Sequence, residues 1–123
     1  MKLFDKQHIV IEYVRGAYKK FVNSLDEFPI LGVTFPTHYG YIQGYESEDG
    51  HDLDIFLGSG EIHGFIRVNR RDVPGGIETK IILYVTETEF EQIREAYKII
   101  IHEMKTMTEE EILEYIKQFK SNK

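Results

Sequence analysis

The chain contains no cysteine. Disulfides, thiolate metal sites and cysteine nucleophiles are therefore excluded, and a cytoplasmic protein is expected. Long apolar runs are also missing. No segment approaches the roughly 18 apolar residues of a membrane span. Met1 to Lys6 holds no apolar stretch of the length a signal peptide needs. Basic residues are scarce beside acids, 15 Lys and Arg against 21 Asp and Glu, for a net charge of -6. Binding nucleic acid requires clustered cations to neutralise phosphates, so neither a nucleic-acid nor a membrane partner is expected. No internal repeat or low-complexity stretch marks off a second domain. The 123 residues make one domain, 1–123, large enough for a single core.

What is present is a run of short extended segments followed by a change of period. His8 to Val14 is rich in β-branched and aromatic residues and reads as a strand that Gly16 breaks. Tyr18 to Val22, Tyr39 to Tyr45, Asp52 to Leu57, Glu61 to Asn69 and Glu78 to Val85 read as further strands. Pro29, Gly32, Pro36, Gly40 and Gly58-Ser59-Gly60 punctuate them, and Pro74-Gly75-Gly76 marks a hairpin loop. After Thr86, the residues Phe90, Ile93, Tyr97, Ile100, Ile101 and Met104 fall at helical spacing. Thr88 with Glu91 makes a capping box for that helix. A second helix is expected from near Thr108, with Glu111 at its third following position and Ile112, Leu113, Tyr115, Ile116 and Phe119 on its buried face. Strands followed by helices mean an α+β fold, the strands curling into a small barrel or a strongly twisted sheet.

The most informative stretch is Asp49-Gly50-His51-Asp52-Leu53-Asp54, a glycine turn feeding the apolar run Ile55-Phe56-Leu57. Hard carboxylate oxygens at the mouth of a turn suit a divalent cation such as Mg2+. An acidic, solvated turn is the plainer alternative, since Asp and Gly are ordinary turn residues.

Just upstream stands Phe35-Pro36-Thr37-His38-Tyr39-Gly40-Tyr41-Ile42. Together the two segments resemble the signature region of the soluble inorganic pyrophosphatases. Those enzymes show Tyr-Pro-x-Asn-Tyr-Gly-Phe-Ile and then Asp-Gly-Asp-Pro-x-Asp, at the spacing that separates Tyr39 from Asp49. The resemblance continues in diluted form over most of the chain. It implies a closed OB-like β-barrel with two C-terminal helices packed outside. It also implies hydrolysis of pyrophosphate with Mg2+ as cofactor, and makes a homo-oligomer a possible assembly. Asp49 and Asp54 match the family's metal-holding aspartates. Glu78-Thr79-Lys80 matches a later acid two residues before a lysine, so Glu78 would join the metal set and Lys80 would contact phosphate. On a strand that spacing puts both side chains on one face. Glu12 and Lys20 match a functional acid, counted here with the metal set, and a phosphate-binding lysine. Tyr39 matches a phosphate-binding tyrosine, although aromatic core packing accounts for it too. Tyr97-Lys98 matches a Tyr-Lys pair on the first long helix, and Tyr97 also fits the buried stripe.

The chain departs from the family where the chemistry is most demanding. The expected base on the attacking water is His51, and the proline after it is Asp52. Val22 stands where an acid is expected, and Asp26-Glu27 where an Asp-Arg pair is. Phe35 and His38 replace the Tyr and Asn of the first signature. Asp72 is the nearest candidate for a further acid, and Arg70 and Arg71 are candidates to substitute spatially for the missing arginine. A neutral imidazole accepts a proton near pH 7. His51, or Asp52 one position on, is therefore the candidate base beside Asp54. As a ligand His51 would instead favour Mn2+, Co2+ or Zn2+. Three readings result: a divergent pyrophosphatase-like hydrolase, a non-catalytic phosphate- or metal-binding relative or assembly subunit, and a hydrolase of another phosphoanhydride such as a nucleotide.

Overall fold

In the computed structural model of the chain, residues 8–121 are described; the stretch Met1 to Lys6 read for a leader lies outside them. Eight strands and two helices follow one another as β1 (Ile9–Tyr13), β2 (Tyr18–Lys20), β3 (Gly32–Thr34), β4 (His38–Glu46), β5 (Asp52–Leu57), β6 (Ile62–Asn69), β7 (Ile77–Val85), α1 (Glu87–Tyr97), β8 (Ile101–Met107) and α2 (Glu109–Lys117). Six strands form one sheet in the order β1-β4-β5-β7-β6-β8, and β2 and β3 form a separate ribbon. All pairings in the sheet are antiparallel except β5 with β7.

The fold is α+β, as its element pattern predicts. The closed barrel is not formed. Among the described residues the sheet is open, with β1 and β8 at its edges. The physical reason lies in the central strands, whose side chains alternate between two apolar faces. Phe56, Ile66, Val68 and Ile82 point to one face, where Phe90, Ile93 and Tyr97 of α1 cover them together with Val33 and Phe35 from the ribbon side. Ile42, Leu53, Ile55, Phe65, Ile81 and Leu83 point to the other, under Ile112 and Ile116 of α2. A sheet covered on both faces has no need to close on itself.

Two local readings are corrected. The periodic stretch after Thr86 is not one helix: α1 ends at Tyr97, and Ile101 and Met104 lie on β8. The first capping box is Thr86 with Glu89, not Thr88 with Glu91. The second box, Thr108 with Glu111, is where the spacing predicts it. The short strand β3, in the loop that Pro29 and Gly32 punctuate, is an element beyond the sequence expectation. Neither helix is long and apolar enough to cross a membrane.

Candidate functional site

Where the first face runs beyond its apolar side chains, polar ones continue the same alternation. Ile82 gives way to Lys80 and Glu78 along β7, and Phe56 to Asp54 and Asp52 along β5. The parallel register of these strands, Ile55 beside Ile81 and Phe56 beside Ile82, brings the two polar series together. On β4, Tyr41 pairs with Asp54 and Tyr39 with Phe56, so both tyrosines share that face. Gly40 between them has β1 directly over it: a Cβ there would lie 1.8 Å from the Val10 carbonyl oxygen.

The polar members of this face, Tyr39, Tyr41, Asp52, Asp54, Glu78 and Lys80, line a cavity of about 860 Å3 together with Lys20, Phe21, Val22, Glu27 and Phe28. Of the sequence-predicted residues, Glu12, Lys20, Tyr39, Asp49, His51, Asp52, Asp54, Glu78, Lys80 and Tyr97 all line it. Lys98 does not, and its Nζ instead pairs with Glu95 at 2.6 Å on the helix surface.

Lys80 is the hub. Its buried Nζ donates to the Tyr39 hydroxyl at 2.7 Å, to Asp54 Oδ2 at 3.0 Å and to Glu78 Oε2 at 3.3 Å. The Tyr39 hydroxyl in turn donates to Asp54 Oδ2 at 2.6 Å. Burial alone would lower the Lys80 ammonium, but the facing Tyr39, Asp54 and Glu78 outweigh it and raise its pKa well above the ordinary lysine value. Burial would likewise raise the Asp54 carboxyl, but Lys80 and the hydrogen bonds from Tyr39 and Lys80 hold it below the ordinary carboxylate value. Burial pushes the Tyr97 hydroxyl up to about 12, so it stays a neutral donor. That hydroxyl is buried without a hydrogen-bond partner among the described residues.

Asp49 sits on a turn that only a left-handed residue closes comfortably, and Gly50 supplies it with φ 81. Asp49 Oδ1 accepts from the His51 backbone N at 2.9 Å, which fixes the carboxylate at the cavity mouth. His51 and Asp52 are exposed beside it.

Arg70 is the residue that the sequence places least well. It follows β6, and its backbone N donates to the Gly76 carbonyl at 2.8 Å, closing the turn before β7. The turn folds its side chain back over Glu78, the cross-strand partner of Val68. Arg70 Nη1 lies 2.6 Å from Glu78 Oε1 and 3.8 Å from Asp49 Oδ2, and Nε lies 3.0 Å from Asp72 Oδ1. The hairpin signal Pro74-Gly75-Gly76 was legible, but the direction of a side chain beyond its strand was not.

The expected metal set can be tested against this geometry. Asp49, Asp54 and Glu78 offer the carboxylate oxygens that Mg2+ prefers. Yet each is already engaged by a protein cation, Asp49 and Glu78 by Arg70, and Glu78 and Asp54 by Lys80. Among the described residues no three His, Asp or Glu side chains form a group that could hold an ion. As placed, the residues do not fit a resident divalent cation.

A family model described as inorganic pyrophosphatase matches residues 4–122. No curated protein and no solved structure matches the chain.

Proposed function

The chain belongs to the inorganic pyrophosphatase family, and on that premise we propose that its cavity takes inorganic pyrophosphate, or another phosphoanhydride, and hydrolyses it. The observation that supports this reading most is the meeting in one cavity of cationic Lys20, Arg71 and Lys80, the tyrosines Tyr39 and Tyr97, and the acid–imidazole group of His51, Asp52 and Asp54. Lysine and arginine charges would offset the charge that develops on a transferring phosphoryl group. Lys20, exposed at the end of β2, is free to reach an entering anion as a point charge. The Tyr97 hydroxyl would donate to a phosphate oxygen. A water oxygen would attack phosphorus while the bridging P–O bond breaks. Its proton would pass to the His51 imidazole or the Asp52 carboxylate, and the departing phosphate would take up a proton in turn. A cytoplasmic setting and assembly of identical copies belong to the same reading and rest on the family alone.

Phosphate release from pyrophosphate tests it, with Mg2+, Mn2+, Co2+ or Zn2+ and separately with a chelator. Slow turnover is expected. His51→Ala should lower turnover by about 10²–10⁴-fold if His51 is the base, and Lys20→Ala should raise KM. One observation favours a second reading, binding without turnover: Arg70 ties up Asp49 and Glu78. If phosphate appears under none of these conditions while calorimetry still detects pyrophosphate binding, the second reading stands.

A further inference from the structure

Asp49, Glu78 and Asp54 are not left facing one another across the cavity. A guanidinium lies between Asp49 and Glu78, and an ammonium between Glu78 and Asp54. Together these supply two positive charges, the charge of one divalent ion. Glu78 is 1% exposed, so a charge there needs a permanent partner. Arg70 is suited to provide one because its planar fork engages two groups at once. One edge of the fork is held from outside by Asp72, whose two carboxylate oxygens accept from Nε and Nη2. That clamp aims Nη1 inward at Glu78 and Asp49. The arrangement is built by the turn itself, since Arg70, Asp72 and Glu78 all belong to the β6–β7 connection and its first strand residues.

We propose that Arg70 stands in for a divalent cation between Asp49 and Glu78, and that the cavity takes its phosphoanhydride ligand without a metal ion bridging those two carboxylates. The second clause rests on the function proposed above. The first does not. A metal ion entering between these acids would have to displace a guanidinium that is already hydrogen-bonded on two sides, and two like charges would meet at close range. The same positive charge that excludes the metal is available to a phosphate oxygen on the cavity side.

The experiment has two separate readouts. Mn2+ binding, followed by the electron paramagnetic resonance of the free ion and with no phosphate present, is measured on the wild type, Arg70→Met and Arg70→Lys. The wild type and Arg70→Lys should bind weakly, and Arg70→Met at least about tenfold more tightly, as the two carboxylates are released. Equal affinity of the wild type and Arg70→Met overturns the proposal. Should Arg70→Met fail to fold, the melting temperature of the wild type decides, because a Mn2+-dependent rise overturns the proposal and a flat response upholds it. Asp72→Ala, which only unclamps the guanidinium, should gain Mn2+ affinity to a smaller extent. Pyrophosphate calorimetry on the wild type is run in chelator and in Mg2+. Binding in chelator supports the metal-free ligand mode, and binding only with Mg2+ overturns it. Binding in neither would sink the functional reading, while the Mn2+ readout still decides the role of Arg70.

Discussion

Lys80 and Lys98 look alike in the sequence, each matching a phosphate-binding position, and they sit in opposite surroundings. Lys80 is buried against Tyr39, Asp54 and Glu78, whereas Lys98 is exposed and paired with Glu95 one helical turn away. Lys80→Met should therefore destabilise the fold by about 3 kcal/mol, because it removes the cation shared by buried Glu78 and half-buried Asp54, leaving Glu78 to Arg70 and Asp54 to Tyr39. Lys98→Ala should change stability by less than about 0.5 kcal/mol. Urea unfolding midpoints of the two variants check this, and similar losses in both would mean that Lys80 is not the hub described. Conversely, if Lys98→Ala abolished pyrophosphate binding, its side chain would have to leave Glu95 and reach the cavity. The residues on strand faces were legible because alternation carries them: Glu78, Lys80 and Asp54 follow from period two once the strands are placed. Arg70 is legible only as a candidate cation beside Arg71, because beyond a strand end nothing in the local pattern says which way a side chain turns.

The elements were legible to different degrees for physical reasons. Strands β4 to β7 announce themselves by composition and by the turns between them. Strand β8 disguised itself as helix. Ile101 and Met104 both join the α1-side core although they are three residues apart, and Met107 joins the opposite one. The register of β8 against β6 slips between Arg67 and Val68, and that irregularity shifts the phase of the alternation. With apolar cover on both faces, the result is a spacing of three that imitates a helix. What decides for strand is the outer edge of β6, whose backbone groups need partners that a continued α1 would not supply. Helix starts test the same reasoning. Thr86 Oγ1 accepts from Glu89 N at 3.1 Å and Glu89 Oε1 accepts from Thr86 N at 2.8 Å. Thr86→Ala should cost about 1 kcal/mol and Thr86→Ser little. Thr88→Ala, at the position the sequence pattern favours, should cost less than about 0.5 kcal/mol, as for an ordinary surface change. Urea midpoints in the reverse order would place the box at Thr88 after all.

At the scale of the whole molecule, the titrating groups divide into two sets that bound the pH range of stability. Burial lowers the His63 imidazole, which Glu109 only partly offsets, and its Nδ1 accepts from the Tyr84 backbone N at 3.2 Å. A histidine kept neutral by the fold stabilises it above the unfolded value of about 6.5, and that contribution is lost as pH falls toward the folded value. Asp54 and Glu48 come next. For Glu48, burial pulls upward, but hydrogen bonds from Thr79 and Ser47 prevail and lower it. Carboxyls depressed in the fold stabilise it above their unfolded values of about 4, and the benefit disappears as pH falls through the lower folded values. On the alkaline side the sign reverses. Lys80, Tyr39 and Tyr97 all have raised folded values, so their contribution is complete below about pH 10 and is lost only above it. Stability should thus be flat from about pH 7 to 9, decline gently below about 6.5 and fall steeply below about 4. His63→Gln should erase the gentle step while leaving the steep one, and Asp54→Asn should soften the steep one while leaving the gentle one. Urea midpoints measured from pH 3 to 10 on the three proteins separate these contributions. If the gentle decline persisted in His63→Gln, the step would belong to a different group, and the neutral, backbone-bonded imidazole between β6 and β7 would not be what tunes the acid side of this fold.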